Sequence, residues 1–371
     1  MTVAARDILI LSRIAGVGSA RLRGLIARFG SAAAVAGAHR ASLCAVEGIE
    51  EKTAAAICAF FRSPAAEEAA RFADDQVRRA ERTGSALLPF WDEEYPPLLR
   101  NIYDPPPVLF VRGKLERADA DAVAVVGTRR PSTYGLLMAE RLAAALASAG
   151  LTVTSGLARG IDAAAHAACL RAGGRTVAVI GSGLDVMYPA EHRALADSIA
   201  ARGAVLSELP FGSSPDAANF PRRNRIVSGM TLATLVVETA PAGGAMITAA
   251  QALEEGREVF AVPSAVSGAR PSGTNRLIRE GKAKLTECVE DILAEIAPRL
   301  SAAARPARAR VPETLTLFEQ SVLDALGEEP LHLDVLAARA RLTPADALAR
   351  LLALEFKGAV RQMPGKRFLR A

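Results

Sequence analysis

The sequence predicts an α/β protein in which a doubly wound, largely parallel sheet stands between an N-terminal helical module and a C-terminal winged helix. Three observations carry this. Between Asp121 and about Pro298, short apolar runs typical of strands covered on both faces alternate with stretches of helical spacing. Before about Gly84, alanine-rich helical segments surround two glycine-centred turns. In the last sixty or so positions (roughly), two helices, a turn, a third helix and a β-hairpin follow in order. With 371 residues the chain is long for one domain. The pattern divides it into a helical module at 1–84, a sheet domain at 85–300, a linker at 301–312 and a winged helix at 313–371.

Composition narrows the function. A formal net charge of +5 and an isoelectric point near 9.2 permit a polyanionic partner without requiring one. Cys44, Cys58, Cys169 and Cys288 are scattered, with no CxxC, and His39, His166, His192 and His332 are unclustered. That spacing predicts a reduced, cytoplasmic protein with no metal site and no cofactor. Arg6, Asp7 and Arg13 interrupt any export signal, and no apolar run reaches membrane-spanning length.

In the helical module, LSRIAGVGSARLRGLIARFG and LCAVEGIEEKTAAAICAF each place an apolar-x-Gly-apolar turn between helices. Both are similar to helix-hairpin-helix units, whose glycines free backbone N–H groups for a nucleic-acid phosphate. Gly16 and Gly18 complete the first copy, whereas the second has Gly48 but Glu50, a carboxylate that repels phosphate. DNA contact and simple helix packing therefore stand side by side for this region. Residues 86–111, rich in proline and aromatics, predict an opening strand and a wrapping connector, with Trp91 as packing.

The sheet domain centres on AVAVVGTRRPSTYG. Residues 122–126 predict a strand, Gly127 ends it, and 136–149 predict a helix. Such a turn lies at the carboxyl edge of an open sheet, where free N–H groups and a positive helix end attract phosphate. Thr128 adds a hydroxyl; Arg129 and Arg130 add fixed charge in a fork that suits phosphate oxygens. The alternative is a surface turn whose arginines are merely solvated. A second strand at 151–154 leads to a turn with Ser155, Gly156, Arg159 and Gly160, and a third ends at Gly181 and Gly183. AVLSELPFG supplies a fourth strand, LATLVVETAPAGG a fifth with a Gly243-Gly244 turn, and EVFAVPS a sixth. Several anion-competent turns in succession suit an extended ligand better than one small phosphate. Within FPRRNRIVSGM, Arg222, Arg223 and Arg225 cluster around Asn224 just ahead of a helix-like stretch at 226–232. Phe220 before them could stack a base or pack the core; an aromatic beside clustered arginines is common in single-stranded nucleic-acid sites.

The segment SAAARPARARVP predicts a flexible basic linker. In the winged helix, Pro344 suits a first helical turn. The helix after it, ADALARLLALE, has few base-reading side chains, so protein contact competes with DNA reading there.

Taken in order, VVGTRRPSTYG, SGLARGIDAAAH, AVIGSGLDVMYP, LSELPFG, FPRRNRIVSGM, VVETAPAGGAMITAAQALEEGREVFAVP and PSGTNRLIREG resemble the signatures of the DprA/Smf family across residues 122–285. The resemblance implies an extended Rossmann-like domain that binds single-stranded DNA, forms a homodimer, protects the strand in natural transformation or recombination, and loads the recombinase RecA. Carried across by position, it implies a strand-binding site of Gly127, Thr128, Arg129, Ser155, Gly156, Arg159, Gly160, Phe220, Arg222, Asn224 and Arg225, with no catalytic residue. Thr128 stands where the family commonly has serine, Gly243-Gly244-Ala245 where many members have Ser-Gly-Ser, and Ser264 where glycine often follows the proline.

The competing reading is a nucleotide-processing hydrolase of the lysine-decarboxylase-like Rossmann group, whose PGGxGT turn PAGGAMIT resembles. That group's catalytic glutamate position is taken here by Ala249, Ala250 and Gln251, with Glu254 and Glu255 a turn further on. Asp162, Asp185 and Glu238 sit at strand or turn ends, where capping and packing compete with acid–base work. Neither GVGSAR nor GSGLDV completes a dinucleotide fingerprint after a strand, and no P-loop is present.

Overall fold

The structure, a computed structural model, describes residues 4–266, 272–300, 317–326, 331–340, 342–356, 360–363 and 365–370. The predicted linker at 301–312 lies outside them. The chain divides into two compact units, Met1–Ala304 and Arg305–Ala371.

In the first unit, six helices precede the sheet: α1 (Ala5–Leu11), α2 (Ser19–Phe29), α3 (Ala32–Ala36), α4 (Arg40–Cys44), α5 (Glu51–Phe61) and α6 (Pro64–Thr83). The turns before α2 and α5 are the two predicted hairpins; Gly16 and Gly48 both have left-handed backbone, φ 80° and 75°. Arg21 ties them together by donating to Gly16 O and Gly48 O, both at 2.6 Å.

The sheet has nine strands: β1 (Ser85–Pro89), β2 (Val108–Gly113), β3 (Ala122–Val126), β4 (Thr152–Ser155), β5 (Thr176–Val179), β6 (Ala204–Ser207), β7 (Ala233–Val236), β8 (Glu258–Ala261) and β9 (Lys284–Leu285). Their spatial order is β1-β2-β6-β5-β4-β3-β7-β8-β9. All neighbours from β6 to β9 run parallel, and β2 and β1 add antiparallel to the β6 edge. The proline-rich stretch predicted as an opening strand and a wrapping connector thus contributes two strands, the expected β1 and also β2, as well as α7 (Pro97–Arg100). Trp91 meets Phe90 edge to face, with ring centres 5.3 Å apart.

Strand alternation assigns the helices to faces. Val123, Val125, Val153 and Leu235 point to α8 (Thr133–Ser148), α9 (Ile161–Arg171) and α14 (Val289–Ile296). Ala124, Val126, Val177 and Val179 point to α7, α11 (Asn219–Gly229), α12 (Gly244–Glu254) and α13 (Gly273–Arg279). The core of the helical module continues into Phe110, Ala178, Ile180 and Val205 through α10 (Arg193–Arg202), so module and sheet share one apolar interior.

The second unit holds α15 (Leu317–Ala325), α16 (Leu333–Ala340) and α17 (Pro344–Phe356) on a sheet of order β10-β12-β11, formed by Leu331–His332, Arg367–Arg370 and Val360–Met363. Leu336, Leu351, Leu354 and Phe368 are fully buried in its own core. Among the described residues no helix is long and apolar enough to cross a membrane, and no cluster of three metal-ligating side chains occurs.

Candidate nucleic-acid interface

Strand β3 lies between β4 and β7, so the chain winds outward on one side as far as β6 and then crosses to the other side of β3. In an open parallel sheet this reversal leaves a crevice beyond the carboxyl ends of the two central strands. Here it is a cavity of about 470 Å³ lined by Gly127, Thr128, Arg129 and Arg130 after β3, Thr239, Gly243 and Gly244 after β7, and Phe220, Arg223 and Asn224 of α11. A narrow slot adjoins it, lined by Gly156, Ala158, Arg159 and Tyr188, and shares Arg129, Phe220 and Arg223 with the cavity.

Backbone hydrogen bonds fix this rim. Thr128 N–H donates to Glu238 O at 2.7 Å, and Ile161 N–H donates to Thr128 O at 3.2 Å, so the loops after β3, β4 and β7 are tied together. Close approach requires glycine at two points. A Cβ on residue 127 would meet the Ile161 side chain, and one on Gly160, whose φ is +80°, would meet Thr128 O. The positive end of α8 is already occupied: Ser132 N–H and Oγ–H donate to the Glu238 carboxylate at 3.0 and 2.9 Å. The phosphate-attracting groups of this turn are therefore its arginines rather than the helix end expected from the sequence.

The arginine run is part of α11 rather than a lead into it. Pro221 falls in the first turn, where a missing N–H costs nothing. A helix turns about 100° per residue, so adjacent arginines cannot share a face. Phe220, Asn224 and Val227 look into the cavity. Arg222 lines a separate small pocket beside Gly181 and Glu208. Arg225 is turned away: its guanidinium donates to Glu208 Oε1 at 2.5 Å and pairs with Asp104 at 3.6 Å. That engagement corrects the expectation that Arg225 stands free for phosphate. Ser155 is likewise buried, with Oγ–H donating to Val125 O at 2.6 Å beneath the rim. Gly127, Thr128, Arg129, Phe220 and Asn224 therefore meet in the cavity, Gly156 and Arg159 in the slot, and Gly160 shapes the rim.

Aromatic and cationic groups stand together in the slot. The Arg129 guanidinium lies 5.1 Å from the Phe220 ring centre, and the Tyr188 ring centre is 5.8 Å from that of Phe220, tilted by 48°. Arg159, exposed, donates to Glu191 Oε1 at 2.5 Å.

Arg223 is the residue that the sequence reading left out of the site. It is 7% exposed, lines both cavities, and its Nε is sealed from solvent with no hydrogen-bond partner. Burial pulls its guanidinium down to about 10, against an upward pull from Asp162, so it stays charged at neutral pH. Asp162, also buried, accepts from Gly156 N–H and Ala158 N–H at 3.2 and 3.3 Å. Burial pushes its carboxyl upward while Arg223 and these amides pull it down. Nearby, His166 Nδ1 lies 2.7 Å from Thr176 Oγ1. Because that hydroxyl donates to Val153 O, the histidine carries its proton on Nδ1 and leaves Nε2 as an unpartnered buried acceptor. Tyr188 was missed as well, and its only sequence signal is an aromatic next to the turn after the third predicted strand.

Residues 86–297 match the family described as DNA recombination-mediator protein A, residues 305–366 the DprA winged helix domain, and residues 8–63 the SAM-like helix-hairpin-helix tandem. The chain is 39% identical over 313 residues to Protein Smf of Synechocystis, covering 75% of this chain and 78% of that protein. The X-ray structure of DNA processing protein A from Streptococcus pneumoniae is similar, with a TM-score of 0.66 and 34% identity, covering 80% of this chain and 99% of that one. A structure of DNA processing protein A from Helicobacter pylori, reported for its single-stranded DNA binding mode, has a TM-score of 0.53 at 27% identity and covers 58% of this chain and 97% of that one.

Proposed function

This chain belongs to the DNA recombination-mediator protein A family, whose members include the DprA and Smf proteins, and from that premise we propose that its groove binds single-stranded DNA. In this reading the protein performs no covalent chemistry on the strand; it shields it and passes it to the recombinase RecA, acting as a homodimer in the cytoplasm. The observation that carries the reading is the Arg129 guanidinium over the Phe220 ring, 5.1 Å from its centre, beside Tyr188. A ring with a cation on one face offers stacking to any base and charge to the adjoining phosphate, which is how strand binding tolerates sequence. Arg159 and Asn224 extend the same groove along a strand.

The hydrolase alternative has less support. Glu238, its best acid–base candidate, is engaged by Ser132 through both N–H and Oγ–H.

The test is equilibrium binding of labelled oligonucleotides, single against double stranded, across a salt series. Single strands should bind more tightly, with log affinity falling by about 0.7 per phosphate contact for each tenfold rise in salt. Preference for duplex would move the activity to the winged helix and end the proposal. A second assay adds RecA to a strand already covered by single-stranded DNA-binding protein: this protein should speed filament growth, and no change would remove the RecA step alone.

A further inference from the structure

The Arg223 guanidinium borders both cavities and makes no hydrogen bond among the described residues; its Nε is sealed, so it is the Nη groups that an acceptor from outside the fold can reach. Desolvating a guanidinium is costly, and Asp162 compensates Arg223 in charge without any hydrogen bond between them. The cavity that Arg223 lines is also bordered by the start of α12, an eleven-residue helix capped by Gly243 with no side-chain cap. The N–H groups of Gly244 and Ala245 at that start donate to no acceptor among the described residues. Thr248, one turn further along, lines the same space. None of these α12 residues borders the Phe220 and Tyr188 slot, so the cavity reaches past the place where bases would stack.

We propose that this cavity seats a terminal phosphate monoester, carried on the end of a DNA strand or on a free mononucleotide. A diester within a strand offers two free oxygens and a single charge. A monoester offers three oxygens and nearly two charges at neutral pH, which suits a helix start and the two rim arginines, with Arg223 offsetting the Asp162 carboxylate that lines the same cavity. A volume of about 470 Å³ has room for one nucleotide. The strand-end source rests on the single-stranded DNA reading; the mononucleotide source does not.

The experiment compares hexathymidylate with a 5′-phosphate, with a 3′-phosphate and with hydroxyl ends, and titrates thymidine monophosphate alone by calorimetry, all with the full chain. One phosphorylated end should bind about tenfold more tightly than hydroxyl ends if the seat takes strand ends; saturable binding of thymidine monophosphate with no end preference supports the seat with the free nucleotide as its source. The variant Gly244→Asp places a carboxylate in the cavity, where an added Cβ meets nothing within 4 Å, and an acidic residue in a first helical turn favours the helix. It should fold and lose the phosphate-dependent gain. Arg159→Gln, outside the cavity, should weaken all strands and keep that gain. Equal binding of all three strands together with no binding of thymidine monophosphate would overturn the seat while leaving strand binding intact. Monophosphate binding without strand binding would do the reverse.

Discussion

The Nη1 of Arg223 occupies the space that a Cβ on residue 156 would fill. Gly156 follows β4 and Arg223 belongs to α11, so the missing side chain of one admits the buried charge of the other. The backbone of Gly156 lies outside the left-handed region, so alanine there brings no conformational strain and acts only by displacing the guanidinium. Gly156→Ala should lower single-strand affinity about tenfold, about 1.4 kcal/mol, and cost about 1–3 kcal/mol of stability through overpacking. Fluorescence anisotropy and urea melts measure the two. Unchanged affinity would mean that Arg223 does not contribute to the groove.

Arg129 and Arg225 should behave differently although both are arginines of the predicted site. Arg129 is exposed and lines the cavity and slot; Arg129→Ala should reduce the salt slope by about 0.7 and leave stability nearly unchanged. Arg225 is held by Glu208, and their side chains are 11% and 15% exposed. Removing it strands a carboxylate that is largely shielded, so Arg225→Ala should cost about 2–4 kcal/mol of stability and leave the salt slope as it was. A flattened slope for Arg225→Ala would place it at the DNA after all.

The fold was legible because its strands are apolar runs between glycine turns, and such runs have few other structures open to them. The antiparallel β1 and β2 were harder to see: prolines and aromatics around residues 86–111 mask alternation, and pairing with β6 is decided by tertiary context. The rim turns were legible for the same reason as the strands. Within α11 the residues were legible but their directions were not, since a run of three arginines looks uniform until a helical period separates a cavity wall, a buried cation and an ion pair. Arg223 was lost for that reason. The role of Glu238 in closing the α8 start depends on two segments 106 positions apart in sequence, a relationship that spacing cannot reveal.

Acid should weaken the fold through His166. This ring is fully buried and held down to about 3 by burial, with Arg223 adding to the effect, against 6.5 unperturbed. Between those values the unfolded chain binds a proton that the native state refuses, so stability is full above the unfolded value and falls as pH drops below it. At pH 5 the loss from this group is about 2 kcal/mol relative to pH 8. His166→Gln should show a pH dependence flatter by that amount in denaturant melts between pH 5 and 8. Parallel profiles for variant and parent would show that the ring takes up its proton in the native protein over the same pH range as in the unfolded chain.

Glu255 should act in the opposite sense over a neighbouring range. Burial lifts its carboxyl from 4.5 to about 7, against downward pulls from Ser228, Arg257 and Arg225. The native state therefore keeps a proton that the unfolded chain has released, and stability declines as pH rises from the unfolded value through the native one. Ser228 Oγ–H donates to Glu255 Oε2 at 2.8 Å, a bond that a glutamine oxygen can also accept. Glu255→Gln removes the titration and retains that contact, so its stability relative to the parent should increase from pH 5 to pH 8. Thermal melts of both proteins across that range measure the difference. A gap that stays constant would mean the carboxylate is ionised in the fold throughout, with Arg257 and Arg225 offsetting its burial.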